Sequence, residues 1–275
     1  MPELTLSQYS LVYNAFSFTF AAMFATFIFL VLNRGNVAPS LRNAITMSAL
    51  VVAIAGYHYL RIFESWQDAF TISDATEAGA FVYLASGEPF NDAYRYIDWL
   101  LTVPLLVAEL IAVMSLRGSK AGWMTFRLAT AAALMVILGY PGEIADSTST
   151  RALWGFISTI PFLYILYELF VGLGPAIQAE SGQVKVLLRN IRLLLLATWG
   201  FYPIVYLIPI LFGSATGSAA LLVAVQIGYC IADVAAKCGY GVMIYAIART
   251  KTIEKGLDAG VSDEMLRQPA PAVGD

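Results

Sequence analysis

Asp233 and Lys237 stand four residues apart in the stretch GYCIADVAAKCG, and they are the only charged residues between Leu193 and Ala248. On a helix, residues at i and i+4 share a face, so the acid and the amine lie side by side. A second set stands on YRYIDWLLTVPLLVAE, Tyr94 to Glu109, where Asp98, Thr102 and Glu109 fall at i, i+4 and i+11. At about 100° per residue these offsets lie within about 40° of one another, so all three line one face. Arg95, three residues before Asp98, can reach that face as well. Ionisable groups in runs this apolar cost several kcal/mol each and mark function by default. A dry lysine is a good Schiff-base former toward a carbonyl cofactor, because burial exposes a nucleophilic amine. A buried ion pair that only staples two helices is the plainer reading, but it leaves Glu109 and Arg95 without a role.

Aromatic residues supply a slot for such a cofactor. Trp99 follows Asp98 directly, and Trp199, Tyr202 and Tyr206 recur at helical spacing next to Pro203, where a kink is expected. Taken singly, aromatic stripes are more often packing, but two tryptophans flanking a lysine are less ordinary. His58, the only histidine, would on its own be read as a satisfied core residue. Cys230 and Cys238 lie about 12 Å apart along one helix, too far to bridge, and read as small packing residues.

The elements that carry these residues are membrane helices. Of the 275 residues, 59% are hydrophobic and 13% charged, far from the soluble average. Runs nearly free of charge recur at 4–33, 43–60, 93–116, 121–142, 152–179, 193–213 and 218–248, each long enough to cross about 30 Å of hydrocarbon. The expected fold is an all-α membrane protein, a seven-transmembrane-helix bundle. The runs are too long and too uniformly apolar for the strands of a membrane barrel.

Orientation follows from the basic residues. With the N-terminus outside, Arg34, Arg42, Arg117, Lys120, Arg127, Lys185, Arg189, Arg192, Arg249, Lys251, Lys255 and Arg267, 12 of the 16 Lys+Arg, fall on cytoplasmic segments. The positive-inside rule therefore predicts N-terminus out and C-terminus in, with Asp98 toward the exterior and Glu109 about 16 Å deeper. The acidic loop 64–92 belongs outside, and its Gly79, Gly87 and Pro89 around an apolar run predict a small extracellular hairpin between helices 2 and 3. Residues 1–250 form the membrane domain, and 251–275 a polar cytoplasmic tail that is disordered at its end. No basic n-region precedes the first helix, so no cleaved signal peptide is expected. No phosphate loop, HExxH or CxxC occurs, and no metal site is expected. The basic residues are accounted for by topology, leaving no support for nucleic-acid binding.

The motifs RYIDWLLTVPLL, Arg95 to Leu106, and DVAAK, Asp233 to Lys237, resemble the microbial (type 1) rhodopsins, and the match runs through all seven helices. The resemblance implies all-trans retinal bound through a protonated Schiff base to Lys237, in a pocket of Trp99, Leu106, Met135, Gly139, Ser158, Phe162, Trp199, Tyr202 and Pro203. Asp98, Thr102 and Glu109 match the pattern of proteorhodopsin-like outward proton pumps, whereas sodium and chloride pumps differ there. Leu106 stands where leucine favours green over blue absorption. His58 matches the histidine that pairs with the primary acceptor. Gly155, with GYHYLRIF and FNDAYRYIDWLLTVPLL, is similar to the xanthorhodopsin and Gloeobacter-type branch, where a missing side chain opens a window at which a carotenoid antenna can dock. A glycine at a helix contact is the plainer explanation.

The resemblance implies a light-driven outward proton pump, a transporter rather than an enzyme, in a bacterial inner (cytoplasmic) membrane. Asp98 would accept the proton, Glu109 would resupply it from the cytoplasmic side, Arg95 would pass positive charge outward, and Asp233 would be a second counterion. Thr102 would hydrogen-bond near Asp98. Asp98 must be ionised in the dark and Glu109 protonated until needed. Partners are the lipid bilayer, protons and further copies, since family members form trimers or pentamers. A photosensory rhodopsin that signals without net transport is the alternative, and Glu109 argues against it. A retinal-free receptor or transporter is a third reading.

Overall fold

The computed structural model describes residues 1–73, 81–114, 116, 118–145, 147–180, 182–212, 217–254 and 256. Seven stretches among them are long and apolar enough to cross a membrane, from Leu6–Asn36 to Ala219–Glu254. The expected seven-helix bundle is therefore the observed one.

Each span has a local reason for where it begins. Helix α1 (Leu6–Asn33) starts at a capping box in which Thr5 and Gln8 satisfy each other's backbone N–H groups. Helix α2 (Arg42–Asp68) follows a short 3₁₀ turn with Pro39 in its first position. Helices α3 (Tyr94–Val113) and α4 (Gly118–Glu143) come next. Gly118 opens α4 at φ 62, a left-handed conformation that costs other residues energy. The fifth span runs from α5 (Thr148–Tyr167) through a π-helical turn, Glu168–Gly172, into the short α6 (Gly174–Gln178).

The sixth span is broken. Helix α7 (Gly182–Trp199) stops at Gly200, and α8 (Phe201–Phe212) resumes beyond it. Pro203 has no N–H to offer the carbonyl four residues back, that of Trp199, so the ladder fails there. Next to Pro203, where a kink is expected, the helix is thus interrupted at Gly200. The seventh span carries α9 (Ala219–Asp233), a π-helical turn at Val234–Gly239, and α10 (Tyr240–Glu254).

Helix α10 continues four residues past the expected domain boundary at 250, and Lys251 and Thr252 are buried in it. Of the remaining tail only Gly256 is among the described residues, and the expectation of a disordered end lies outside them. Cys230 and Cys238 are free and buried, as expected of packing residues.

The expected hairpin forms, with one strand more than the sequence indicated. Strand β2 (Phe70–Ile72) pairs antiparallel with β3 (Val82–Ala85), and the N-terminal β1 (Leu4–Thr5) adds to the other edge of β3, giving the order β1-β3-β2. Residues 74–80, with Gly79, lie outside the described residues. Beneath the sheet, Tyr9 stacks on Tyr83 at 3.7 Å and on the fully buried Trp66 at 5.7 Å. Large apolar side chains such as Phe18, Leu32 and Phe156 point out of the bundle at 66%, 74% and 69% exposure, an inside-out pattern suited to lipid.

Candidate functional site

Lys237 lies in the π-helical turn of the seventh span and is 2% exposed. Such widened turns gather at functional sites. Its Nζ donates to Asp233 Oδ1 at 2.5 Å and lies 3.1 Å from Asp98 Oδ2. Both carboxylates are buried, Asp233 completely. A buried ammonium is tolerated only when charge and hydrogen bonds compensate it, and here two acids do so.

The two acids differ in their surroundings. Asp233 also accepts from Tyr59 Oη on Oδ2 and from Tyr202 Oη on Oδ1, both at 2.6 Å. Three donors thus converge on one carboxylate. Asp98 has the lysine on one oxygen, while its Oδ1 has no partner among the described residues. Thr102 Oγ1 donates at 2.8 Å to the backbone carbonyl of Asp98, one turn back. It is near Asp98, as expected, but bound to the main chain.

Arg95 makes no ion pair with Asp98 among the described residues. Its buried guanidinium pairs with Asp92, donates to Gln226 Oε1 at 2.7 Å, and lies over the Tyr229 ring at 4.6 Å. Gln226 Nε2 reaches the other oxygen of Asp92 at 3.4 Å, closing a ring of three side chains. Arg95 and Asp98 are both buried on α3, three residues apart, but the arginine's ion-pair partner is Asp92, a carboxylate three residues away on the other side, at the mouth of the helix. His58 is buried, as expected, but its Nδ1 meets the carbonyl of Ile54 at 2.9 Å. No hydrogen bond joins it to Asp98 among the described residues, but the main chain takes only one ring nitrogen, and the ring lies close enough to Asp98 to act on it through its charge.

Glu109 is fully buried and lies apart from the lysine cluster. Ser48 of α2 donates to its Oε2, and its Oε1 has no partner among the described residues.

A cavity of about 380 Å³ runs from Lys237 between the third, fourth, fifth, sixth and seventh spans. Trp99, Leu106, Met135, Gly139, Ser158, Phe162, Trp199, Tyr202 and Pro203 all line it, and so does Gly155, the expected window residue. Trp99 sits edge-on to Tyr202, ring centres 4.9 Å apart. Ser158 Oγ donates to the carbonyl of Met135 at 2.7 Å, and a Cβ at Gly139 would lie 3.3 Å from that Oγ, so glycine keeps the fourth and fifth spans close. At Gly155 a Cβ would come 2.5 Å from Tyr206 Cε1. The missing side chain therefore makes room for the Tyr206 ring, whose hydroxyl donates to the Arg151 carbonyl at 2.8 Å.

The cavity has the apolar aromatic walls and, among its lining residues, the single amine that a polyene aldehyde linked to Lys237 needs, so the residues fit retinal. Tyr59, Tyr229, Gln226, Asp92 and Ser48 were not picked out from the sequence. Gln226 and Tyr229 had a signal, since they stand seven and four residues before Asp233 and so share its face. Tyr59 and Ser48 had none beyond lying on the second span.

Comparison with known proteins agrees with this geometry. Green-light absorbing proteorhodopsin from a gamma-proteobacterium is 28% identical over 247 residues, 90% of this chain and 89% of that protein. Among solved structures, xanthorhodopsin, described as a light-driven ion pump with dual chromophore, superposes with a TM-score of 0.88 at 54% identity, covering 94% of this chain and 100% of the other. Thermophilic rhodopsin gives 0.87 at 50% identity, covering 93% and 99%. Together these likenesses support a light-driven proton-pumping rhodopsin, a transporter rather than an enzyme. Residues 11–251, which hold the lysine, both of its carboxylates and the whole cavity lining, match the family described as bacteriorhodopsin-like protein, and to that family this chain belongs.

Proposed function

We propose that this rhodopsin pumps protons outward, from the Glu109 side to the Asp98 side, in the cytoplasmic membrane of a bacterium with its N-terminus outside. The observation that carries the reading is the asymmetry at Lys237: of two carboxylates in contact with Nζ, Asp233 is held as an anion by three donors, whereas Asp98 keeps an oxygen free to take a proton. Retinal linked to Nζ would supply light absorption and the photoisomerisation that changes the orientation and acidity of that nitrogen. The chain's residues do the rest. Asp98 takes the proton from Nζ across 3.1 Å, and Asp233 remains behind as the counterion. Arg95, tied to Asp92, places a fixed positive charge outward of Asp98 and so favours onward release of the proton. Glu109, in apolar surroundings with only the Ser48 hydroxyl bound, holds a proton in reserve and returns it to Nζ from the opposite side. The basic residues at the ends of the spans support the orientation.

A carotenoid antenna belongs to the same reading. Exposed Ala152, Phe156 and Thr159 on α5 and Leu207 on α8 share the cavity wall with Gly155, so the wall is thin toward lipid at that point. Xanthorhodopsin, with its dual chromophore, is similar over nearly the whole chain. Assembly into trimers or pentamers within the bilayer completes the proposal.

The test is illumination of cells that make the protein and are supplied with retinal. External acidification that an uncoupler abolishes supports outward pumping. An intact visible band without any change in pH refutes it and favours a photosensor.

A further inference from the structure

A second buried charge pair lies far from the lysine cluster, at the other end of the seventh span. Lys251 Nζ donates to Glu180 Oε1 at 2.6 Å, and the two residues are 3% and 8% exposed. Lys251 is in the last turn of α10, while Glu180 is in the corner between the fifth and sixth spans, two residues before α7 begins. The same turn is tied to the corner between the first and second spans, where Ala38 N–H donates to Thr252 Oγ1 at 3.0 Å and Arg249 donates to the Asn36 carbonyl at 2.7 Å. Gly182, at φ 53, brings the corner against Glu254: a Cβ there would lie 3.0 Å from Glu254 Oε1.

These contacts close the face through which Glu109 must be reloaded. Glu109 is fully buried beneath Ser48, and α10 packs on Ser48 so closely that a Cβ at Gly241 would sit 3.5 Å from the serine Cβ. For a proton to reach Glu109 along α10, that helix and its neighbours must part. The sixth span is built to part from it, because the break at Gly200 makes α7 a separate rod about 27 Å long with Glu180 just beyond its free end. A buried ion pair is bistable at such a place: closed it is dry and compensated, open it must be wet, since a dry, separated pair is far costlier.

We propose that Lys251 and Glu180 form a positioning latch that holds α7 against α10, and that its opening gates proton uptake by Glu109. The inference rests on the pump reading. It is tested on the retinal-loaded protein in lipid nanodiscs, with a pH-sensitive dye reporting uptake after a flash. Lys251→Met and Glu180→Gln each speed uptake about threefold or more. Both leave the visible band and the first transfer to Asp98 unchanged. The exchange Lys251→Glu with Glu180→Lys returns uptake toward the native rate, which a merely structural loss would not do. Glu180→Gln keeps shape and hydrogen bonding, so it reads the latch even if Lys251→Met fails to fold. Unchanged or slower uptake in the single variants that fold overturns the latch. If the native protein moves no protons, the pump reading has failed, and spin labels at Gln178 and Ile253 read the latch directly: separation under light supports it, and a fixed distance overturns it.

Discussion

Asp233 and Lys237 are joined across a π-helical turn at 2.5 Å, and the tyrosines that complete the carboxylate's shell come from the second and sixth spans. One acid on the seventh span thereby ties the second and sixth spans to the lysine's own. Loss of the amine leaves two buried carboxylates without their cation. Lys237→Ala is expected to abolish pigment formation, read as no visible band after retinal is added to purified protein.

Asp98 is the acid with an oxygen to spare. Asp98→Asn keeps the cavity and Asp233, so a pigment still forms, red-shifted because one negative charge beside the lysine nitrogen is gone. Transport falls by about a hundredfold or more, the scale of losing a positioned proton acceptor. Light-driven acidification and the absorption spectrum, measured on the same preparation, check both parts.

Glu109 acts late if it acts as the reserve. Glu109→Gln keeps the size and the Ser48 contact, so the visible band and the first proton transfer are unchanged. Return of the proton to the lysine nitrogen slows by about a hundredfold, followed by flash spectroscopy. Unaltered late steps would remove Glu109 from the pathway.

The two tyrosines on Asp233 carry stability as well as geometry. Hydrogen bonds to a charged group contribute about 1.5–3 kcal/mol each. Tyr59→Phe and Tyr202→Phe should each lower the stability of the pigment by about that amount, read as earlier thermal bleaching, while Tyr202→Phe also leaves the cavity wall aromatic.

Gly155 separates two explanations of one glycine. Gly155→Ala crowds Tyr206 and should cost about 1–3 kcal/mol of stability through overpacking, with or without an antenna. Carotenoid docking is read separately, by adding a hydroxylated carotenoid to native protein and to Gly155→Trp. A new structured band with energy transfer to retinal is expected in the native protein alone.

Much of this site was legible because membrane sequences isolate their charges. Asp98, Glu109, Asp233 and Lys237 stand out in apolar runs, and helical spacing alone puts each pair on one face. Trp99, Trp199, Tyr202 and Pro203 were readable from aromatic spacing and the other pocket residues only through resemblance, and every one lines the cavity. The directions of side chains with a choice of partners were not readable. Arg95 could turn to Asp98 or Asp92, and His58 to Asp98 or the Ile54 carbonyl, and periodicity weighs neither choice. The break at Gly200 had a cause in Pro203, but the π-helical turns at Val234–Gly239 and Glu168–Gly172 had no signature, because they come from packing between spans. Strand β1 is two residues long, below any periodic signal, and it exists only because β3 offers it an edge.

That edge has a consequence for how the protein is made. In the order β1-β3-β2 the strand synthesised first pairs with the strand synthesised last, on the same face of the bundle. The sheet can close only after the first two spans are threaded and the chain has come back across. Its completion is therefore a late seal on the early half of the molecule.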